Sequence, residues 1–232
     1  MTTPRRDFLG WLGASTVLAA AAGRPLLAQP APLPPDAAPD PAGGGRPVST
    51  EWDLSWVDRI GGTYRAVFDA PEIADGSPLF RAQHWRDQVK EIYGAQGKDV
   101  SAVLVIRHAA IPLAMNDEYW TRFKVGKATK TKDFEGKHYV TTNPIRTTPP
   151  GLPPKFADYN LERFLATGGI VLACNLAFRD VVGTFQQKAK LSREAAEQAA
   201  KAHLIPGIIL QPSGIFGCLR AQQAGCGYVM AS

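Results

Sequence analysis

Ala102-Val-Leu-Val-Ile106 is apolar at five successive positions. A strand with one wetted face alternates apolar and polar residues, so an unbroken run of this length suits a strand covered on both faces, as in parallel sheets. Gly169-Ile-Val-Leu-Ala-Cys174 and Ile208-Ile-Leu210 repeat the pattern further along. Tyr64 to Phe68 reads as an earlier strand, and Gly227 to Met230 as a short last one.

Helical stretches separate these strands. Ser77-Pro78 offers an N-cap followed by proline in the first turn. Ala82, Trp85, Val89, Ile92 and Tyr93 then recur at helical spacing, and Gly94 and Gly97 close the segment. A helix is expected around Phe156 to Thr167, ending at Gly168-Gly169. Two more lie over Arg179 to Lys190 and Ser192 to His203, the second capped by Ser192. Ser213 to Ala224 completes the set, with Gly225 as terminator. Five strands with helices between them predict an α/β domain built on a mainly parallel sheet with right-handed crossovers. Lys124 to Pro154 fits this scheme poorly and reads as a long excursion.

Outside this domain the chain changes character. Arg5-Arg6-Asp7-Phe8-Leu9 opens a run of 16 uncharged residues, Phe8 to Gly23, with Arg24 just beyond. Charged start, short and mildly apolar middle, and small residues afterwards have the order of a twin-arginine export signal, residues 1–28. Sixteen residues fall short of the roughly 20 that a membrane helix needs. Cleavage is expected near Ala22 or Ala28. Residues 29–50 hold seven prolines and Gly43-Gly44-Gly45, which suits a tether rather than a core. Residues 51–232 are then one domain, working in the periplasm, with no membrane span once the signal is removed.

The whole chain carries 26 basic and 21 acidic residues. Loss of residues 1–28 removes three arginines and one aspartate and leaves a net charge of +3. That excess is small and dispersed, so nucleic acid is not expected as a partner. Lys124, Lys127, Lys130 and Lys132, the densest basic run, read as a solvated face. No dinucleotide fingerprint, haem C-x-x-C-H or iron–sulfur spacing occurs, and no cofactor is expected. His84, His108, His138 and His203 lack ligand spacing such as H-x-x-x-H, so a metal is not expected either.

Ligands of open α/β sheets gather at the carboxyl edge of the strands. Three positions fall there: Arg107-His108, Cys174-Asn175 and Pro212-Ser213-Gly214. Parallel strands would turn all three toward one crevice. Cys174 is the sharpest candidate for chemistry. A thiol at a strand end, beside the next helix start, can be held as its thiolate by backbone N–H groups and by cations such as Arg107, His108 or Arg179. Against this stands the ordinary role of cysteine in an apolar run, that of a small inert core residue. Ser213 reads first as a helix cap, and the N–H groups beyond it as an anion pocket. Pro212-Ser213-Gly214 lacks the G-x-S-x-G elbow of a serine hydrolase. Cys218 and Cys226 read as structural, with Cys226 at the amino edge, away from Cys174. A bridge between Cys218 and Cys226 is left open, and the lack of any C-x-x-C pair speaks against thioredoxin-type exchange.

With these residues the chain resembles the DsrE/DsrF-like superfamily. The resemblance is carried by Val103-Leu-Val-Ile-Arg-His108, Gly168-Gly-Ile-Val-Leu-Ala-Cys-Asn175, Ile205-Pro-Gly-Ile-Ile-Leu-Gln-Pro-Ser-Gly214 and Arg220-Ala-Gln-Gln-Ala-Gly-Cys-Gly-Tyr228. It implies a three-layer α/β/α domain with a mainly parallel five-stranded sheet, assembled as a trimer or hexamer. Sulfur-relay members carry a cysteine after a central strand that takes up and passes on persulfide sulfur, and Cys174 is the matching position. A sulfur donor or acceptor protein would then be its partner. The export signal, tether and excursion depart from the compact cytoplasmic unit.

These residues support two expectations. In one, the chain handles sulfur in the periplasm, with Cys174 as persulfide carrier and Arg107 and His108 tuning it. In the other, it keeps the fold as a non-catalytic binding or scaffold module, with Cys174 inert and a small ligand held near Asn175, Ser213 and Gly214.

Overall fold

The computed structural model describes residues 51–148 and 151–232; the stretches read above as an export signal (1–28) and a tether (29–50) lie outside them. The elements run β1 (Tyr64–Ala70), α1 (Ser77–Tyr93), β2 (Val100–Ile106), α2 (Asp117–Phe123), α3 (Val125–Thr129), α4 (Leu161–Ala166), β3 (Ile170–Cys174), α5 (Asn175–Ala189), α6 (Arg193–Ala202), β4 (Ile208–Gln211), α7 (Gly214–Gln223) and β5 (Gly227–Met230). All five strands are parallel, in the order β4-β3-β2-β1-β5. Helices cover both faces, so the domain is a three-layer α/β/α sandwich. No described helix is long and apolar enough to cross a membrane.

Every residue of β2 and β3 is buried, which is why these two runs lack alternation. Their even and odd positions feed two different cores. Leu104, Ile106, Val171 and Ala173 join α1, α2, α4, α5 and α6 on one face. Val103, Val105, Ile170 and Leu172 join Trp56, Cys218 and Ala221 on the other. The second face is thus closed by α7 and the 3-10 turn Ser55–Arg59.

Topology is set by handedness. Strands β1 to β4 step across the sheet in one direction, with their connections packed on the first face. To return from β4 to the far side of β1, a right-handed connection must use the opposite face. Helix α7 makes that return and touches all five strands on its way to β5.

Several boundaries differ from those the sequence predicts. Ser77 is already helical, at φ −57° and ψ −26°, and Gly76, at φ 88°, takes the N-cap position instead. The apolar stripe of α1 ends early, because Ile92 and Tyr93 are exposed and Tyr93 stacks on Tyr64. The helix expected around Phe156 to Thr167 is shorter. Pro154–Phe156 forms a 3-10 turn, and α4 starts only after Asn160, whose side chain accepts from the Arg163 N–H. Helix α5 begins earlier, directly at the end of β3. Ser192 and Ser213 cap α6 and α7 as their positions suggest, accepting from Ala195 and Phe216.

Strand β3 is seated by a tight contact before it starts. An added Cβ on Gly169 would overlap Phe164 Cδ1 and lie 2.6 Å from the Phe164 carbonyl oxygen. Gly169→Ala is therefore expected to cost about 1–3 kcal/mol, since α4 must shift to make room. Urea unfolding that gives an unchanged midpoint for this variant would contradict the packing of α4 against the start of β3.

Candidate functional site

The five strand ends lie along one edge in the order Gln211, Cys174, Ile106, Ala70, Met230. Parallel pairing places Cys174 beside Gln211 and Ala70 beside Ile106. The face toward which the chain leaves each strand decides where a crevice opens. Helix α5, after β3, packs through Ala177, Phe178, Val181 and Phe185 into the first face. Helix α7, after β4, packs through Cys218 and Ala221 into the second. Neighbouring strands whose connections leave toward opposite faces make the topological switch point, where such sheets bind ligands. Cys174 and Ser213 stand on its two sides.

Cys174 is the N-cap residue of α5 and makes no side-chain cap bond. Its thiol is free of any disulfide, as are those of Cys218 and Cys226. It is 6% exposed and packs within the larger core, so its reach to solvent is narrow. Next to it, Gln211 is fully buried. The Gln211 amide nitrogen donates to the carbonyls of Asp53 and Leu210, at 2.8 and 3.0 Å. Two acceptors on one nitrogen fix the amide's orientation and leave Oε1 buried without a partner. Asn175 continues the turn as the first residue of α5, half-buried.

Arg107 does not reach toward this crevice as a free cation. Its Nε and a terminal nitrogen donate to the two carboxylate oxygens of Asp69, at 2.7 and 2.9 Å. That two-pronged bond raises the arginine's already high pKa and commits its charge to the end of β1. The stem of Arg107 runs across the start of α7, where a Cβ on Gly214 would meet Arg107 Cβ at 2.5 Å. The structure thus brings Arg107 and Gly214 into contact, and glycine is required there for room. His108 turns away: it sits at φ 50°, with a side chain 72% exposed, and its nearest carboxylate is Glu72 at 3.6 Å.

Asp69 is a hub that no sequence pattern singles out. It is 2% exposed. Besides Arg107, its Oδ2 accepts from the Tyr228 hydroxyl at 2.6 Å, and its backbone carbonyl accepts from the Ala231 N–H at 2.7 Å. Cys218 also lies against this carboxylate. Burial, aided by the Asp69 charge, pushes the Cys218 thiol up to about 12. The hydrogen bond to Asp69, helped by some burial, pushes the Tyr228 hydroxyl up to about 12. Both groups therefore stay protonated near neutrality, and Cys218 does not supply a thiolate. Burial raises Cys226 as well. The one available clue is Val67-Phe68-Asp69-Ala70, where a carboxylate sits inside a run of otherwise buried apolar residues.

Among the described residues no group of three or more His, Cys, Asp and Glu is placed to hold a metal ion.

No family model matches the sequence, and no curated protein matches it. Among solved structures, the protein of unknown function MTH1491 from Methanobacterium thermoautotrophicum aligns with 72% of this chain and 98% of its own length, at 13% identity and a TM-score of 0.38.

The protonated Cys218 and Tyr228 make a pH prediction. Their folded pKa values lie above the ordinary 9.0 and 10.0, so the unfolded chain loses these protons first. The stability they contribute is whole below pH 9 and is lost as pH rises from 9 to 12. Tyr228→Phe is expected to lower stability at neutral pH, where its bond to Asp69 is missing. The same variant should lose less than the parent between about pH 10 and 12, as followed by urea midpoints. An equal loss in both proteins would show that Tyr228 does not hold its proton for Asp69.

Proposed function

We propose that this chain is an exported DsrE/DsrF-like protein that carries sulfane sulfur on Cys174 in the periplasm. The observation that supports this most is the position of Cys174: a free thiol ending a central strand, capping α5 without a side-chain bond, at the topological switch point. In the transfer, the Cys174 thiolate attacks the outer sulfur of a donor persulfide. The donor's S–S bond breaks, the donor leaves as a thiolate, and Cys174 becomes the persulfide. Sulfur moves without net oxidation or reduction, so no cofactor enters. Passing the sulfur to an acceptor thiolate repeats the step in reverse. Asn175, Ser213 and Gly214 would meet the donor's sulfur at the helix starts, and the uncapped N–H groups at the start of α5 suit an anionic sulfur chain. Arg107 takes part by holding the start of α7 in place rather than by facing the thiol. His108, at the exposed rim, is left as a contact for the donor or acceptor protein.

The competing reading is a binding or scaffold module of the same fold. The 6% exposure of Cys174 favours it, as does the commitment of Arg107 to Asp69. The two readings separate in one experiment. The natively purified mature protein is incubated with inorganic polysulfide and its intact mass is read with and without reductant. Sulfur carriage predicts a reductant-sensitive gain of sulfur that maps to Cys174 and is wholly absent in Cys174→Ser. Loading that persists in Cys174→Ser, or none in the parent protein, leaves the binding module.

A trimer or hexamer belongs to the same proposal. Ile215 and Leu219 on α7, and Tyr228, Val229 and Met230 on β5, are large apolar side chains left in solvent. Strand β5 is an edge strand exposed at all four residues. Such an edge invites pairing unless a second copy covers it. Leu219→Glu is expected to lower the mass measured by light scattering toward that of one chain. A parent protein that is already monomeric at micromolar concentration would remove the oligomer from the proposal.

A further inference from the structure

A cavity of about 730 Å3 lies away from Cys174, between the turn after β1 and the excursion. That is the size of a drug-like ligand's site. Leu79, Ile145 and Tyr159 line it and are buried, while Phe80 and Val140 are half-buried. Phe134, 57% exposed, completes the lining from the excursion. The aromatic members are held in place by their neighbours. Phe80 packs edge-on against Phe156 and Tyr159, with centroids 5.0 and 4.9 Å away, and the Tyr159 hydroxyl meets His84 Nδ1 at 3.2 Å.

The charges that line the cavity are unequal. Asp75, Asp133 and Glu135 contribute carboxylates, against a single ammonium from Lys132. That ammonium lies over the Tyr139 ring, 4.2 Å from its centroid. Glu135 is paired with Lys137 at 2.6 Å, and Asp133 receives the N–H groups of Lys137 and His138 together with the His138 ring. Asp75 differs. It is exposed, its Oδ1 accepts the backbone N–H of Lys132 at 2.7 Å, and among the described residues no cationic side chain pairs with it. Its backbone is held at φ 51°, between Ala74 at 42° and Gly76 at 88°. Left-handed conformation at two successive non-glycine residues costs energy that the surrounding fold must supply.

We propose that this cavity binds a small organic cation with an aromatic or alkyl body, an amine whose body packs on Leu79, Phe80 and Ile145 and whose charge is met by Asp75. A carboxylate that no described cation pairs with favours a cation, and the apolar floor favours a ligand with a body to bury. An anion would meet Asp75, whereas Asp133 and Glu135 already have partners in His138 and Lys137. The site is independent of Cys174 and holds whether or not the sulfur reading does.

The test uses the full mature chain and three probes sharing a phenethyl or benzyl body: phenethylamine, 2-phenylethanol and phenylacetate, titrated by calorimetry and by chemical-shift perturbation at low salt. Phenethylamine should bind at least ~10-fold more tightly than phenylacetate, as expected where the partner charge is a carboxylate. Asp75→Asn keeps an oxygen for the Lys132 N–H and so preserves the turn. It should weaken phenethylamine about 5–10-fold and leave 2-phenylethanol unchanged. Phe80→Ala, checked for folding by circular dichroism, should weaken both amine and alcohol. Cys174→Ser should bind phenethylamine as the parent does. Equal or tighter binding of phenylacetate, or no saturable binding of phenethylamine by the folded parent up to millimolar concentration, would overturn the proposal.

Discussion

Burial of β2 and β3 on both faces is the constraint on which the rest of this structure depends. Two whole strands without a wetted residue require a helical layer on each side. Parallel pairing is then the natural arrangement, since each crossover lays a helix on a face. The connections fill one face as the chain steps from β1 to β4, and only the return through α7 remains to fill the other. The switch point between β3 and β4 is a by-product of that return. Cys174 and Ser213 come to flank it because the chain changes face between them, not because either residue demands it.

A second consequence concerns the last strand. Strand β5 pairs with β1 through four residues, all exposed, so apolar burial does little to hold it. Its attachment depends on Asp69: the carboxylate accepts from Tyr228 and the backbone carbonyl accepts from Ala231. The same carboxylate binds Arg107 in two places and borders Cys218. Removing any one of these donors leaves a buried carboxylate with one hydrogen bond fewer, which costs more than the bond itself contributes. One residue thus ties the end of β1 to β2, β5 and α7.

Legibility in the sequence tracks the kind of force involved. The strands covered on both faces are readable because continuous apolar runs are a local signature of a global fact. The caps Ser192 and Ser213 are readable because capping is decided within four residues. Asp69 is not, because a strand is expected to end where polarity begins, and here the polar residue is inside the strand and paired 38 positions away. Adjacency to the end of β2 points Arg107 toward the thiol, yet the nearer and stronger partner is a carboxylate on β1. The contact of Gly214 with the Arg107 stem likewise joins residues that no periodicity relates. The shortness of α4 is due to Asn160, whose cap bond starts the helix later than the apolar spacing alone would place it. The cavity is illegible for a different reason. Its excursion has neither helical nor strand period, so its shape is set by single bonds such as Asp75 to Lys132.

The carboxyl edge of the sheet is therefore divided in three. At one end, between β3 and β4, the switch point sets the uncapped start of α5 beside the Ser213-capped start of α7. In the middle, Arg107 and Asp69 neutralise one another and close the tips of β2 and β1. After β1 the chain turns through Asp75 beside the mainly apolar cavity. A free arginine at position 107 would draw anions into the centre, and a free aspartate at position 69 would draw cations there. Pairing the two leaves the tips of β1 and β2 without a free charge of either sign.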